Sequence, residues 1–384
     1  MPFEHIQDEA SAEGLARDLA GARRFALDLE AAGFHRYSDR LCLIQITTPD
    51  RTYIVDPLGF DVRPILRRPL EDPDVEIVMH GSDYDLRLLD RDLDIRLRGL
   101  FDTQIAAMLI GEPGIGLAAL LESRLDVRLS KKYQRADWAQ RPLDPEMLEY
   151  AAGDTRHLMR LADLLRTDLA SAGRMAWVEE ECRYLERTAT FDTEDEEGEP
   201  EDPVVRVKGA RDLTARQVTA LRQALEWRDT IARERDRAPF RVVGDKPLID
   251  AVARRPRDPG ELAAIKGFPR GLAREEGRRL LERLEAVAGL AENELRPYPK
   301  SRKRGPGRPP PEVEDAVRDL KAVRNRRAEE LGLDRAALPS NALLLAIALR
   351  QPTGPEELAA VDGMRQWQMD VLGGELLSVL KKRS

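Results

Sequence analysis

Two acidic residues close to the amino terminus stand at the end of an apolar run. The stretch RFALDLEAAGFHRY, residues 24–37, places Asp28 and Glu30 two positions apart. Successive side chains of a strand alternate between its faces, so both acids are predicted to share one face while Leu27 and Leu29 point into a core. A solvated turn and a carboxylate metal site both explain this stretch taken alone. A metal site would need further carboxylates that converge on the same place.

A second group of acids follows the apolar run VEIVMHG. The next residues, SDYDLRLLDRDL, predict a helix with Ser82 as its N-cap and with Asp83 and Asp85 in its first turn. Acidic side chains in a first turn complement the helix dipole, so either acid alone has an ordinary structural explanation.

A further acid is predicted to share a helix face with a tyrosine. The stretch LDPEMLEYAAGDTRHLMRLADLL, residues 143–165, has helical periodicity and Asp144 as its predicted cap. Tyr150 and Asp154 are four positions apart, which places them on one face. The predicted core face comprises Leu148, Ala151, Ala152, Leu158, Leu161 and Leu165.

Composition restricts the kind of metal that such acids could bind. The only cysteines are Cys42 and Cys182, and four histidines stand in unrelated settings, so neither a disulfide framework nor a zinc site is expected. Any metal is predicted to be a hard ion bound by oxygen atoms. The amino terminus lacks a signal-peptide pattern and no apolar run reaches membrane-spanning length, so we expect no membrane association and a cytoplasmic location.

The elements that would carry these acids alternate between strand and helix. Short apolar runs at 24–29, 41–47 and 52–56 are spaced like a meander, and the run at 75–81 follows a predicted helix and precedes another. This order predicts an α/β domain with a mixed sheet flanked by helices.

Charge and length divide the chain. With 384 residues it should contain two or three domains, and its net charge of -8 combines about -18 in residues 1–202 with about +10 in residues 203–384. Eight of the twelve residues at 191–202 are acidic, which is typical of a solvated linker. Residues 296–311 hold six basic residues and six prolines without an acid, and we expect them to be extended.

The carboxy-terminal half contains an internal repeat. The stretch LIDAVARRPRDPGELAAIKGF, residues 248–268, aligns without a gap on LLAIALRQPTGPEELAAVDGM, residues 344–364, at an offset of 96 residues. Matched prolines and glycines lie between segments of helical apolar spacing, so two small all-α bundles are predicted. The repeated pattern resembles the HRDC domain, a helical module at the carboxy termini of ribonuclease D and RecQ-type helicases, which implies nucleic-acid binding.

The acids resemble the three exonuclease motifs of the DEDD superfamily, in the branch with a tyrosine in the third motif (DEDDy). The stretch DWAQRPLDPEMLEYAAGDTRHL, residues 137–158, is similar to the third-motif region of ribonuclease D, and the resemblance extends through the tandem repeat. It implies an RNase H-like exonuclease fold followed by two HRDC-like bundles. The residues that it implies for the active site are Asp28, Glu30, Asp85, Tyr150 and Asp154.

The resemblance also implies a mechanism and a substrate. Two divalent ions, Mg²⁺ or Mn²⁺, would be held by the four acids, and the Tyr150 hydroxyl would orient the attacking water. A 3′–5′ exoribonuclease of this kind releases 5′-nucleoside monophosphates, and single-stranded 3′ ends, such as those of tRNA precursors, are the expected substrates of a monomeric enzyme. A DNA exonuclease of the same branch and an inactive nucleic-acid-binding scaffold are the alternatives. The DNA exonuclease would resemble the exonuclease domain of Werner-type helicases, but no helicase is expected beside it here, because no nucleotide-binding phosphate loop occurs.

These interpretations predict five segments. They are an exonuclease domain at 1–190, an acidic linker at 191–210, a first HRDC domain at 211–292, a basic proline-rich linker at 293–311, and a second HRDC domain at 312–384. Within the basic linker, Arg302, Lys303, Arg304 and Arg308 are the candidate nucleic-acid contacts.

Overall fold

A computed structural model describes residues 3–189, 202–299 and 309–382. None of the helices within these ranges is long and apolar enough to span a bilayer. The amino-terminal part is a six-stranded sheet flanked by helices, with β1 (Phe3–Ile6), α1 (Glu13–Gly21), β2 (Arg24–Ala31), β3 (Leu41–Thr47), β4 (Thr52–Val55), α2 (Arg63–Glu71), β5 (Glu76–Met79), α3 (Asp83–Leu93), β6 (Leu100–Asp102), α4 (Thr103–Ile110), α5 (Leu117–Leu125), α6 (Pro145–Arg156), α7 (Leu158–Ser171) and α8 (Met175–Thr188).

The strands form one mixed sheet in the order β1-β4-β3-β2-β5-β6. The pairs β2–β3 and β3–β4 are antiparallel and the remaining pairs are parallel, which confirms the predicted mixed sheet. The four predicted strands are β2 to β5. The two edge strands β1 and β6 were not predicted, because neither contains an apolar run: β1 is FEHI, and β6 is the three residues LFD.

The central strand β2 has two faces of different chemistry. Phe25 and Leu27 are fully buried in the main core, as the alternation predicts. On the opposite face Asp28 pairs across the strands with Gln45, and Glu30 pairs with Leu43. Helix α6 packs over this second face, where it meets β2, β3 and β4. The sheet therefore presents its acidic face to one helix.

The helix predicted over 143–165 is two helices, α6 and α7, which meet at His157. Asp144 caps α6 as predicted, since its carboxylate accepts a hydrogen bond of 2.8 Å from the Glu146 amide. The predicted apolar face is buried throughout but serves two cores. Residues Leu148, Ala151 and Ala152 pack beside β3 and β4, whereas Leu158, Leu161 and Leu165 enter the main core. One straight helix could not reach both cores.

The carboxy-terminal repeat forms two helical bundles. The first contains α9 (Ala215–Glu234), α10 (Pro239–Val242), α11 (Asp245–Arg254), α12 (Pro259–Ala263) and α13 (Arg270–Ala288), and the second contains α14 (Pro311–Leu331), α15 (Asn341–Arg350), α16 (Pro355–Ala359), α17 (Gln366–Gln368) and α18 (Gly374–Lys381). Helices α14, α15 and α16 begin 96 residues after α9, α11 and α12. Gly267 and Gly363 both have φ of 84°, so the repeat extends to a left-handed turn that favours glycine.

Two predicted linkers are shorter in the structure than in the sequence interpretation. Val204, Val207 and Ala210 are buried in the core of the first bundle, so the second half of the predicted 191–210 linker packs rather than being solvated. Residues 203–210, PVVRVKGA, contain no acidic residue and include the apolar side chains that are buried here. At the other end, the Arg296 amide donates to the Thr219 hydroxyl at 2.9 Å, so residues 293–299 also lie on the first bundle.

The second bundle shares a core with the exonuclease part. The rings of Trp177 on α8 and Trp367 on α17 stack with centroids 4.7 Å apart. The backbone amide of Trp367 donates to Glu180 at 2.9 Å, and its indole nitrogen donates to Glu181 at 2.8 Å. Arg365 completes the contact with an ion pair to Glu181 at 3.3 Å. The basic linker therefore leads to a docked bundle.

Candidate active site

Three carboxylates meet where β2 ends beneath α6. One ligand oxygen from each of Asp28, Glu30 and Asp154 lies within 4.8 Å of the other two, and all three side chains are partly exposed. Helix α6 is fastened to the sheet here because the hydroxyls of Thr155 and Thr47 are hydrogen-bonded at 2.8 Å. Three convergent oxygen donors fit a hard divalent cation.

The proximity of these carboxylates changes their acidity. Burial, followed by the charges of Asp85, Asp154 and Glu30, raises the pKa of Asp28 well above its usual range. The pKa of Glu30 is likewise raised, by burial and then by Asp154 and Asp85. Burial raises the pKa of Asp154 to about 7. The raised pKa values expected for a metal-free acidic cluster are therefore present.

Asp85, on the first turn of α3, lies near this group but outside the three-carboxylate cluster. Its charge contributes to the raised pKa of both Asp28 and Glu30, so the carboxylate of Asp85 is near enough to interact with theirs. The pKa of Asp85 itself rises to about 8, through burial and then through Asp102. Asp83 instead forms an exposed ion pair with Arg87 at 3.1 Å. The two acids of this turn therefore have different surroundings.

Tyr150, one turn before Asp154 on α6, is the remaining predicted site residue. Its ring packs against Tyr133 and Trp138, with centroids 6.0 and 6.1 Å away. Burial, and then the charges of Asp154, Glu30 and Asp28, raises the pKa of the Tyr150 phenol. The hydroxyl thus remains protonated near neutral pH and can donate a hydrogen bond.

Sequence reasoning missed Asp102, which organises the start of α3. Its fully buried carboxylate accepts hydrogen bonds of 3.0 and 2.8 Å from the Gly81 and Ser82 amides and caps α4 through Gln104 and Ile105. The Ser82 hydroxyl also donates to Asp102 at 2.8 Å. Ser82 is therefore the N-cap residue by position but makes no side-chain cap, contrary to prediction, and its hydroxyl is hydrogen-bonded to Asp102 instead.

Gln45 was also missed. It lies directly opposite Asp28 on β3, is fully buried, and has an amide group without a hydrogen-bond partner among the described residues. A buried amide without a partner is costly, so this position suits a polar group that the metal-loaded site supplies. The sequence gives no signal for it beyond a polar residue within the apolar run LCLIQIT.

The candidate nucleic-acid contacts of the basic linker, Arg302, Lys303, Arg304 and Arg308, lie outside the described residues. They stay predictions from sequence.

The sequence matches the 3′–5′ exonuclease family over residues 3–170 and the HRDC domain over residues 217–284 and 313–380. It is 30% identical to ribonuclease D of Pseudomonas paraeruginosa over 99% of this chain and 98% of that protein. The chain belongs to the ribonuclease D family. Its activity is that of a 3′–5′ exoribonuclease, a hydrolase of phosphodiester bonds.

Solved structures agree with the ribonuclease D assignment. Escherichia coli RNase D, described as an exoribonuclease involved in structured RNA processing, is 25% identical, covers 100% of this chain and 99% of its own, and has a TM-score of 0.66. The catalytic core of RRP6 from Trypanosoma brucei is 28% identical over 75% of this chain and 80% of its own, with a TM-score of 0.62. These similarities extend beyond the exonuclease sheet into the helical region.

Proposed function

We propose that this ribonuclease D family member shortens the single-stranded 3′ tails of structured RNAs, tRNA precursors among them, one 5′-nucleoside monophosphate at a time. The observation that carries the proposal is the convergence of three carboxylates beside a protonated tyrosine. The description of the similar Escherichia coli enzyme supports structured RNA as the substrate class.

The roles of the side chains follow from their positions. Asp28, Glu30 and Asp154 would hold one divalent cation, and Asp85 with Asp28 would hold a second. Bound divalent cations supply a water of lowered pKa and offset charge on the attacking and leaving oxygens. Tyr150 would donate its hydroxyl hydrogen to position that water, and Asp102 would fix the turn that carries Asp85.

The substrate proposal is tested by product analysis on matched tails. A duplex with a single-stranded 3′ tail is prepared once with an RNA tail and once with a DNA tail, and each is incubated with Mg²⁺ or with a chelator. We expect 5′-monophosphates from the RNA tail only when Mg²⁺ is present. Preferential hydrolysis of the DNA tail would contradict the RNA assignment.

Tyr150→Phe is expected to lower the turnover number by about 10- to 100-fold with little change in KM. The substitution keeps the ring packing and removes only the hydroxyl that would position the water during reaction. Tyr133→Phe is the matched control, because its hydroxyl donates to the exposed Glu146 at 2.9 Å. Steady-state kinetics on a single-stranded RNA decide the matter. An unchanged turnover number would leave Tyr150 with a packing role alone.

Replacing Arg302, Lys303, Arg304 and Arg308 with Gln is expected to weaken RNA binding and its salt dependence. Each lost contact with a single-stranded phosphate reduces the magnitude of the slope of log affinity against log salt concentration by about 0.7. Loss of all four contacts should therefore reduce this slope by about 3. The control exchanges Arg and Lys at the same four positions and keeps every charge. Equal slopes for the two variants would exclude phosphate contacts by this linker.

A further inference from the structure

Two phenylalanines are exposed side by side where the exonuclease part meets the first bundle. Phe34, in the loop after β2, is 41% exposed, and Phe240, on α10, is 52% exposed. Their ring centroids are 5.5 Å apart at an interplanar angle of 59°. Large aromatic side chains usually gain stability by burial, so two adjacent exposed rings suggest a surface that contacts a partner. We call this pair the aromatic step.

Cations surround the aromatic step. The guanidinium groups of Arg135 and Arg241 lie 5.7 and 5.5 Å from the centroid of the Phe34 ring. Within the described ranges neither group forms an ion pair with a carboxylate. The Phe34 ring also has an edge contact with the His35 ring, whose centroid is 5.2 Å away. Two arginines without acidic partners beside partly exposed aromatic rings match an anionic ligand that also has a flat ring system, which is the chemistry of a nucleotide.

The step is held in place from both sides. The Ala238 amide donates to the His35 carbonyl at 3.0 Å, which ties the loop of Phe34 to the segment that precedes Phe240. The Tyr37 hydroxyl donates to Asp229 on α9 at 3.1 Å. The loop is also joined to the segment of Arg135, because the His35 Nε2 and the Arg135 carbonyl oxygen are 2.8 Å apart. These contacts fix the backbone segments that carry the two rings, which lowers the cost of ordering the surface when a ligand arrives.

The step lies close to the acidic cluster by two routes along the chain. Phe34 is four residues beyond Glu30, which limits the separation of their Cα atoms to about 14 Å. Arg135 is two residues beyond Tyr133, whose ring contacts Tyr150. The rings therefore lie within reach of an RNA strand whose 3′ end is at the carboxylates.

We propose that the aromatic step stacks a nucleobase of the single-stranded RNA tail, upstream of the bond that is cleaved, while Arg135 and Arg241 contact its phosphates. This inference rests on the proposed function, because the carboxylate cluster defines where the 3′ end lies. The two rings come from different domains, so the first bundle completes a binding subsite next to the exonuclease centre. Stacking accepts every base, which suits an enzyme that removes nucleotides in succession.

Phe240→Leu tests the step, because leucine keeps apolar contact with Phe34 and removes the aromatic face. Affinity of the full-length protein for a single-stranded RNA is measured in EDTA, so that hydrolysis does not interfere. We expect the affinity of Phe240→Leu for this RNA to be about 5-fold or more below that of the parent protein. Phe240→Tyr, which keeps an aromatic ring, should bind the RNA as tightly as the parent protein does. The control Tyr298→Leu removes a partly buried ring of the same bundle, which has Arg211 5.7 Å from its centroid, and should leave affinity unchanged.

A fluorescent base reports stacking directly. The RNA carries 2-aminopurine at successive positions from the 3′ end, and stacking on an aromatic ring quenches its emission. We expect one upstream position to be quenched by the parent protein and by Phe240→Tyr, and to recover emission with Phe240→Leu. If the contact between the two rings only stabilises the bundle, Phe240→Leu should lower the melting temperature without a position-specific change in emission.

The outcomes separate this inference from the proposed function. Unchanged affinity and unchanged quenching in Phe240→Leu, while the parent protein still hydrolyses the RNA with Mg²⁺, would overturn the stacking subsite alone. An equal loss of affinity in Tyr298→Leu would also overturn it, since the effect would then be general to the bundle. Absence of Mg²⁺-dependent hydrolysis by the parent protein would instead contradict the proposed function.

Discussion

Asp28→Asn and Asp154→Asn are each expected to lower Mg²⁺-dependent RNA hydrolysis by at least about 10³-fold. A neutral amide is a poor ligand for a hard cation, and metal ions contribute several kcal/mol of transition-state stabilisation, which corresponds to about a thousandfold in rate. Both carboxylates belong to the cluster whose oxygens lie within 4.8 Å of one another. Single-turnover hydrolysis of a 3′-labelled RNA at saturating Mg²⁺ measures the effect.

The neighbouring acid on α3 provides the matched control. Asp83→Asn removes a charge of the same kind that is paired with Arg87 on the surface, and its turnover should stay near that of the parent protein. Near-normal turnover of either cluster variant would contradict the two-metal assignment. A loss in Asp83→Asn as large as in Asp28→Asn would indicate that charge near α3, rather than metal binding, controls the rate.

Thermal unfolding shows whether lost activity reflects lost structure. Because the folded-state pKa of Asp28 is raised above its unfolded value, its ionisation opposes folding, and stability of the metal-free protein falls as pH rises through the raised pKa. Asp28→Asn removes this effect. In EDTA at about pH 8 we therefore expect the variant to melt at a higher temperature than the parent protein. An inactive variant that is also more stable cannot owe its inactivity to unfolding.

Periodicity predicts which acids share a face, whereas their grouping into one candidate active site is what the resemblance to DEDDy exonucleases implies. Asp28 and Glu30 share a strand face, and Tyr150 and Asp154 share a helix face, by periodicity alone. Asp102 and Gln45 could not be found in this way. An Asp before a helix is an ordinary cap, and a Gln within an apolar strand becomes notable only when the cross-strand register places it opposite Asp28.

The fold was predictable where its elements are long and repeated. The central strands and the duplicated bundles follow from apolar periodicity, whereas the docking of the second bundle does not. An amphipathic helix such as α8 indicates that one face is buried but not what covers it. The residue that packs on α8 through Trp177 is Trp367, which lies 190 residues later in the sequence. The placement of a bundle that follows a linker depends on such long-range contacts.

Trp367→Ala is expected to lower the free energy of unfolding by about 3–5 kcal/mol, the range for truncating a large buried side chain. The indole is 2% exposed, stacks on Trp177 and donates to Glu181, so its loss leaves a cavity and removes one hydrogen bond from Glu181. Trp227→Ala is the matched control, because this tryptophan is 3% exposed and stacks on Phe268 within the first bundle.

Hydrogen exchange distinguishes the two variants. Both should melt at lower temperature, but only Trp367→Ala should speed amide exchange in α8, whose exposed face would lose its cover. Helix α8 in turn braces β6, since the Asp102 amide donates to the Cys182 sulfur at 3.4 Å. Loosening α8 should therefore disturb the turn that carries Asp85, and Trp367→Ala should hydrolyse RNA more slowly than Trp227→Ala on a short single strand. Unchanged exchange in α8 would mean that the second bundle does not stabilise the exonuclease part.

If the second bundle does stabilise α8, removal of residues 293–384 would disturb the catalytic sheet as well as RNA binding. The charge variants at Arg302, Lys303, Arg304 and Arg308 are therefore the cleaner test of whether the linker binds RNA.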